Sequence, residues 1–214
     1  MGTRGVYGVR VNGVDKLMYN GYDSYPHGLG VELVRQITTM IEKFGAPALK
    51  NLAATVRLVN PTDVPSPGDL DNLRGHMGSG LPNGDGRNWN DLLRPVQGDL
   101  KTSLLTGYML DNHEFIMDSL FCEYGYIFDL DKNRFEVYQG FQKDPHDKGP
   151  YADLPPYDPG YRSTIYYPCA MVFAFPLDRI PENWVDLAFP REDEDEGDTE
   201  SRHSGPRVSS LVDF

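Results

Sequence analysis

Short alternating segments of apolar and polar residues open the chain. Residues 6–11 and 14–19 are rich in β-branched and aromatic side chains, and Asn12 and Gly13 separate them. An Asn-Gly pair favours the type I′ turn of a two-residue hairpin, because both residues tolerate a positive φ. The pattern therefore predicts an N-terminal β-hairpin.

Apolar positions at helical spacing come next. They lie at Leu33, Val34, Ile37, Met40, Ile41 and Phe44. Gly45 ends this pattern and suits a left-handed C-cap, and Pro47 suits the first turn of a second helix. We expect two consecutive helices that pack as a pair. Residues 60–90 are dense in Pro, Gly, Asp, Asn and Ser, which predicts an irregular surface excursion that is either functional or mobile.

The second half of the chain returns to strand patterns. Shorter helical patterns precede them at 90–94, 100–109 and 113–121. Residues 123–130 and 134–138 predict a second hairpin, and 164–175 predict a further strand that Pro168 interrupts. Strands at both ends with helices between them predict an α+β fold. We expect a largely antiparallel sheet, built from the N- and C-terminal hairpins and covered by the central helices.

Composition and charge narrow the function. The 214 residues are 39% hydrophobic and 12% aromatic, which is enough for one folded domain, predicted at 2–189. Lys and Arg number 20 against 32 Asp and Glu, a formal charge of -12. General affinity for nucleic acid or for an anionic membrane needs clustered cations, so both are excluded as partners. Residues 190–214 predict a disordered acidic tail, either solvated or bound to a basic partner.

Cysteine and histidine usage predicts a cytoplasmic protein with no metal site and no cofactor. Cys122 and Cys169 follow no basic or apolar leader, which indicates a reducing compartment, and nothing in the pattern supports a disulfide. Neither they nor the histidines have zinc-site spacing. The residues from Asp129 onward begin like a calcium loop, but Arg134 stands where the loop needs glycine.

Two polar regions could carry a site. In N-terminal-nucleophile hydrolases the first residue attacks an amide, and Thr3 is a candidate only if the bond after Gly2 is cut. The alternative is close packing of Gly2 with an ion pair at Arg4. The loop 19–30 enters the first predicted helix, a natural place for polar groups.

Within this loop Asp23 and His27 are candidates for an acid–base pair, with Tyr22 and Tyr25 as walls. The candidate ligand-binding residues are Arg4, Asn20, Asp23, Tyr25 and His27. Turn formation and helix capping explain the same residue types without a ligand. The tyrosines at 151, 157, 161, 166 and 167 form either a recognition surface or loop packing.

The opening M-G-T-R-G and the segment Y-N-x-x-D-S-Y-P-x-G-L-G, from Tyr19, resemble an uncharacterised family of actinobacteria, their phages and fungi. The hairpin at 124–140 resembles that family too, and the resemblance implies no reaction. A remoter similarity to cysteine-type N-terminal-nucleophile amidases places Gly2 at the nucleophile position and Asn20 and Asp23 at polar positions. Glycine carries no nucleophile.

Two functions remain from the sequence. The first is a non-catalytic acidic binding protein in the cytoplasm, for example a phage-encoded modulator of a host protein, with a protein as its partner. The alternative is a small-ligand-binding or amide-hydrolase-like domain with its site near the N-terminus and the loop 19–30. The absent nucleophile and the negative charge favour binding.

Overall fold

A computed structural model describes residues 2–77, 87–157, 160 and 164–190. The strands are β1 (Gly5–Val11), β2 (Val14–Asn20), β3 (Arg57–Val59), β4 (Tyr108–Leu110), β5 (Tyr124–Asp129), β6 (Arg134–Gln139) and β7 (Ala170–Pro176). The helices are α1 (Val31–Phe44), α2 (Ala46–Thr55), α3 (Pro67–Met77), α4 (Trp89–Leu93), α5 (Leu100–Thr106) and α6 (Trp184–Ala188). A π-helical turn spans Pro26–Gly30, and 3-10 turns span Arg94–Val96 and His113–Met117.

The main sheet has the strand order β2-β1-β5-β6-β7. β1 pairs antiparallel with β2, as β6 does with β5 and with β7, whereas the central pair β1 and β5 is parallel. The chain between β1–β2 and β5–β6 carries helices α1 to α5, and such a crossover is what a parallel pair requires. The predicted α+β class with a largely antiparallel sheet is confirmed.

Both predicted hairpins are present. Asn12 and Gly13 have φ values of 54° and 72°, the pair of positive angles that a type I′ turn needs. Asp131, in the turn of the second hairpin, accepts hydrogen bonds from the backbone N–H groups of Asn12 and Gly13 at 3.0 and 2.9 Å. The two hairpin turns are therefore joined side by side at one end of the sheet.

Helices α1 and α2 cover one face of the sheet. Buried side chains of both helices, such as Leu33 and Leu49, share a core with Tyr7 and Phe128 of the central strands. Lys16 of β2 is buried here, and its ammonium group donates to the carbonyls of Ala53, Ala54 and Val56 at the end of α2. A cation at a helix C-terminus satisfies carbonyls that have no partner within the helix.

The opposite face carries a buried row of charges. Asp15, Arg10, Asp129 and Arg134 occupy matching register positions on four adjacent strands, so their signs alternate across the sheet. Glu136 joins the row through Nη1 of Arg10 at 2.9 Å. Burial disfavours the guanidinium of Arg10, but the hydrogen bond to Asp15 and the nearby negative charges outweigh it and raise its pKa.

The predicted irregular excursion at 60–90 is wrong in part, because it contains α3. Ser66 and Asp69 form a reciprocal cap, in which Ser66 N–H donates to the carboxylate at 3.0 Å and Asp69 N–H approaches the hydroxyl at 3.3 Å. Pro67 fits the first helical position, and Leu73 is fully buried. The glycines made the segment look irregular in sequence, but the cap and one buried leucine stabilise a short helix there.

Two element boundaries and the conformation of one helix cap also differ from prediction. The helix predicted at 100–109 ends at Thr106, because Gly107 is left-handed with φ 78°, and the chain continues as β4, which pairs parallel with β3. Gly45 has φ 81° but an extended ψ of 151°, so it is not a left-handed C-cap. The strand predicted from 164 starts at Ala170, after Pro168.

Some predictions fall beyond the described part of the chain. The acidic tail at 190–214 lies outside it apart from Pro190, as do His203, Tyr161 and residues 78–86 of the segment predicted at 60–90. Within residues 2–77, 87–157, 160 and 164–190, no helix combines the length and apolarity needed to cross a bilayer.

Candidate functional site

The candidate site lies at the end of the sheet where β1 and β5 begin. The register there aligns Asn20, Gly5, Tyr124 and Gln139 on four neighbouring strands. A cleft of about 770 Å³ opens beside the last two residues. Its walls are Asp23, Tyr25, Pro26, His27, Gly28, Tyr124, Gln139, Val185, Asp186 and Phe189. Three parts of the chain that are far apart in sequence therefore build one site.

The first wall is the loop between β2 and α1. Asp23 has φ 51°, a left-handed conformation that aspartate adopts more readily than most residues, and its carbonyl accepts from Leu29 N–H at 3.3 Å. The carbonyl of Tyr25 accepts from the N–H groups of Gly28 and Gly30, which closes the π-helical turn. Such turns are frequent at functional sites. The backbone of this wall is fixed, while the side chains of Tyr25 and His27 are exposed.

A buried hydrogen-bonded pair supports the loop from below. Asn20 Nδ2 donates to Ser24 Oγ at 2.8 Å and to the carbonyl of Tyr22. Ser24 in turn accepts at its carbonyl from the hydroxyl of Tyr126 at 2.8 Å, and its N–H donates to the carbonyl of Thr3 at 3.1 Å. Asn20 and Ser24 therefore anchor the loop to β2, β5 and the first residues of the chain.

Helix α6 forms another wall of the cleft, and Trp184 packs this helix against the sheet. The indole meets the rings of Tyr126 and Phe135 edge to face, at centroid distances of 6.3 and 5.1 Å. Gly30 makes room for it, since a Cβ at that position would lie 2.8 Å from Cη2 of Trp184. With Trp184 fixed, α6 presents Asp186 and Phe189 to the cleft.

Three neighbouring aromatic rings line the cleft. Tyr124 stands between Tyr25, at 6.4 Å between ring centroids, and Phe189, at 5.5 Å. Their planes are inclined to that of Tyr124 by 52° and 80°, so the three rings do not form a flat stack. Burial, with smaller effects from Glu123 and Tyr25, raises the pKa of Tyr124 and keeps its phenol protonated.

The charged groups of the cleft are acidic. Asp23 and Asp186 are exposed carboxylates, His27 is exposed, and the residues that line the cleft include no lysine or arginine. The side chains of Asp23 and His27 make no hydrogen bond with any residue that the structure describes. Their polar atoms are free to meet a ligand.

The structure brings some of the predicted site residues together and separates others. Asp23, Tyr25 and His27 share the cleft. Asn20 is buried and lines an adjoining cavity of about 400 Å³ that also includes Asp23. Thr3 is 3% exposed and is not among the residues that line the cleft. The predicted N-terminal residues Thr3 and Arg4 therefore do not line the cleft.

Arg4 serves a different contact. Its guanidinium lies 4.4 Å from the ring centroid of Phe121, and the backbone N–H of Arg4 donates to Oε1 of Glu123 at 3.1 Å. Sequence reasoning missed Tyr124, Gln139, Asp186 and Phe189 as site residues. Strand alternation placed Tyr124 in the predicted hairpin, and Gln139 follows the predicted strand 134–138, but only strand pairing places the two residues beside the loop 19–30.

A second polar cavity of about 380 Å³ lies near the 3-10 turn at His113–Met117. His113 Nδ1 is 2.6 Å from Oδ1 of Asp111, and Glu114 and Asp118 line the same cavity. Across the described ranges, no three His, Cys, Asp or Glu side chains converge in a way that could hold a metal ion. This cavity offers an imidazole oriented by Asp111, and its lining includes no serine, threonine or cysteine that could act as a nucleophile.

Comparisons of the chain with protein-family models, with curated proteins and with solved structures give no match. The resemblance to an actinobacterial, phage and fungal family stays a prediction, and the function proposed below rests on the geometry of the cleft.

Proposed function

We propose that the protein is a non-catalytic binding protein that holds a segment of a partner protein in the cleft between the loop 23–28 and α6. One observation carries this proposal: the exposed ring of Tyr25 and the half-buried rings of Tyr124 and Phe189 line one cleft together with the carboxylate residues Asp23 and Asp186. Exposed aromatic side chains give large contact area at low entropic cost, which is typical of recognition surfaces.

The chemistry of the lining residues supports binding over catalysis. Covalent catalysis needs a nucleophile within hydrogen-bond reach of a base. Ser24, the serine of the loop, is fully buried and accepts a hydrogen bond from Asn20. Asp23 and His27 are not hydrogen-bonded to each other in the described structure, so neither orients the other as a general base.

Selection from a displayed random peptide library tests the proposal. We expect peptides that enrich on the full chain and bind with micromolar affinity in calorimetry. Tyr25→Ala should weaken each of them about tenfold or more, as expected for the loss of a central aromatic contact. Tyr22→Ala is the matched control, because Tyr22 is 59% exposed in the same loop and does not line the cleft.

Two results would overturn the proposal. The first is a selection that enriches no peptide, or whose peptides respond equally to Tyr22→Ala and Tyr25→Ala. The second is hydrolysis of a bound peptide, seen as a change in its mass after incubation, which would show that the site is catalytic.

A further inference from the structure

We infer that the group which enters the cleft is an arginine side chain of a basic polypeptide segment. This inference rests on the proposed binding function and adds the chemistry of the ligand. It follows from the charge of the cleft, from its rings and from two places where the protein packs its own arginines in the same way.

The charge of the cleft selects a cation. Asp23 lies on the loop wall and Asp186 on the helix wall, so the carboxylates flank the opening from two elements. The lining residues supply no lysine or arginine to neutralise them, and the whole chain has a formal charge of -12. A cationic group gains from both carboxylates, while an anionic ligand would be repelled by them.

The rings favour a planar cation over a compact one. A guanidinium group stacks on an aromatic face and is weakly hydrated, whereas an ammonium group is a strongly hydrated point charge. It also presents five N–H donors in one plane. Asp23, Asp186 and Gln139, which line the cleft from three different elements, carry side-chain acceptors for such donors. The volume of about 770 Å³ accommodates the side chain together with part of its peptide.

The protein uses this combination twice within its own structure. Arg57 lies 4.9 Å from the ring centroid of Tyr108 and 2.9 Å from a carboxylate oxygen of Asp69. Arg10 lies 5.8 Å from the ring of Tyr151 and 2.6 Å from Asp15. In both places a tyrosine ring and an aspartate hold one guanidinium. The residues that line the cleft include two tyrosines and two aspartates but no arginine.

A pair of isosteric peptides tests the inference. The probes are acetyl-Gly-Ser-Arg-Ser-Gly-amide and the same peptide with citrulline, which keeps the shape of arginine and removes its charge, measured by calorimetry with the full chain at low salt. We expect the arginine peptide to bind about tenfold or more tightly than the citrulline peptide. The lysine counterpart should fall between them, and added salt should weaken the arginine peptide.

Charge-removing variants locate the contact. The double variant Asp23→Asn with Asp186→Asn should abolish the preference for arginine over citrulline. Asparagine tolerates the positive φ of Asp23, so the loop keeps its conformation. Glu182→Gln is the matched control, because Glu182 is exposed just before α6 and does not line the cleft.

The outcomes separate the two proposals. Equal affinity for the arginine and citrulline peptides, while library peptides still bind through Tyr25, would overturn the arginine inference and leave the binding function standing. Equal or tighter binding of the lysine peptide would overturn the preference for guanidinium. Arginine binding that survives the double variant would place the contact outside the cleft and overturn the inference.

Discussion

Arg10 and Asp129 lie opposite each other on the two parallel strands at the centre of the sheet, and Nη1 of the arginine is 3.1 Å from Oδ2 of the buried carboxylate. The same guanidinium contacts Asp15, Glu136 and the hydroxyl of Tyr151. One cation therefore contacts three carboxylates that the sheet brings together, at the end of the sheet opposite the cleft.

Arg10→Met should strongly destabilise the fold. The substitution keeps much of the side-chain volume but leaves Asp129 and Glu136, which are both fully buried, with Arg134 alone as cationic partner. Breaking a buried ion pair in this way costs about 3–5 kcal/mol of unfolding free energy. Urea denaturation measures the loss. Arg35→Met removes an exposed pair with Glu32 and should change the midpoint little, so equal effects of the two variants would contradict this account.

Asp131 should make stability depend on pH below about 4. The hydrogen bond from Lys50, together with those from Gly13 and Asn12, lowers its pKa to about 2 from an ordinary value of 3.8. A carboxyl whose folded pKa is depressed stabilises the fold above its unfolded pKa and loses this contribution as pH falls towards the folded pKa.

Asp131→Asn should therefore be less stable than wild type at pH 7, and the difference should shrink between about pH 4 and pH 2. Thermal unfolding across this range measures it. Asp153→Asn, at an exposed position, is the control for a general change of net charge. A constant difference between Asp131→Asn and wild type from pH 7 to pH 2 would contradict the linkage.

The two cysteines should be unreactive in the folded protein. Cys122 and Cys169 are fully buried, and Sγ of Cys169 lies 3.3 Å from the carbonyl oxygen of Cys122. Burial, followed by the interaction with Cys169, raises the pKa of the Cys122 thiol well above 9.0, so the reactive thiolate is scarce. Titration of the reduced protein with Ellman's reagent should give no rapid reaction, and two thiols in denaturant.

Gly30→Ala should change the shape of the cleft, although Gly30 does not line it. The added Cβ would lie 2.8 Å from Trp184 and 2.9 Å from Tyr126, so α6 has to shift. We expect a loss of about 1–3 kcal/mol in stability, as overpacked cores show, together with weaker binding of cleft ligands.

Gly75→Ala is the control for this glycine. Gly75 lies within α3 with nothing inside 4 Å of an added Cβ, so alanine should stabilise the protein by about 0.5–1 kcal/mol and leave binding unchanged. Denaturation midpoints and peptide titrations of both variants check the pair. Unchanged binding by Gly30→Ala would show that α6 does not depend on this contact.

Local signals were sufficient for several elements. The Asn-Gly turn after Val11 and the apolar spacing from Leu33 to Phe44 each depend on a few neighbouring residues, and both the first hairpin and α1 are present. Local signals gave a wrong prediction where the residue types of a segment favour one structure and its tertiary packing stabilises another. Pro67 and Gly75 favour an irregular segment, yet burial of Leu73 and the Ser66 cap stabilise α3.

The sequence predicted only the part of the candidate site that lies in one continuous segment. The loop 19–30 stood out because it concentrates turn formers and ionisable groups before a helix, and Asp23, Tyr25 and His27 do line the cleft. Asp186 and Phe189 gave no signal, since their segment has neither a motif nor a clear period. They reach the cleft because Trp184 packs into the core beside Gly30.

The sequence by itself determined the two hairpins, the first helix pair, the α+β class and the acidic character of the surface, because turn chemistry, apolar period and charge depend on residues close in the chain. Tertiary structure decided which strands are neighbours. It therefore also decided which residues meet at each end of the sheet. It placed Tyr124 beside the loop at one end and Arg10 beside Asp129 at the other. The physical reason is that strand register and side-chain packing join residues more than a hundred positions apart, and periodicity in one segment carries no information on its partner.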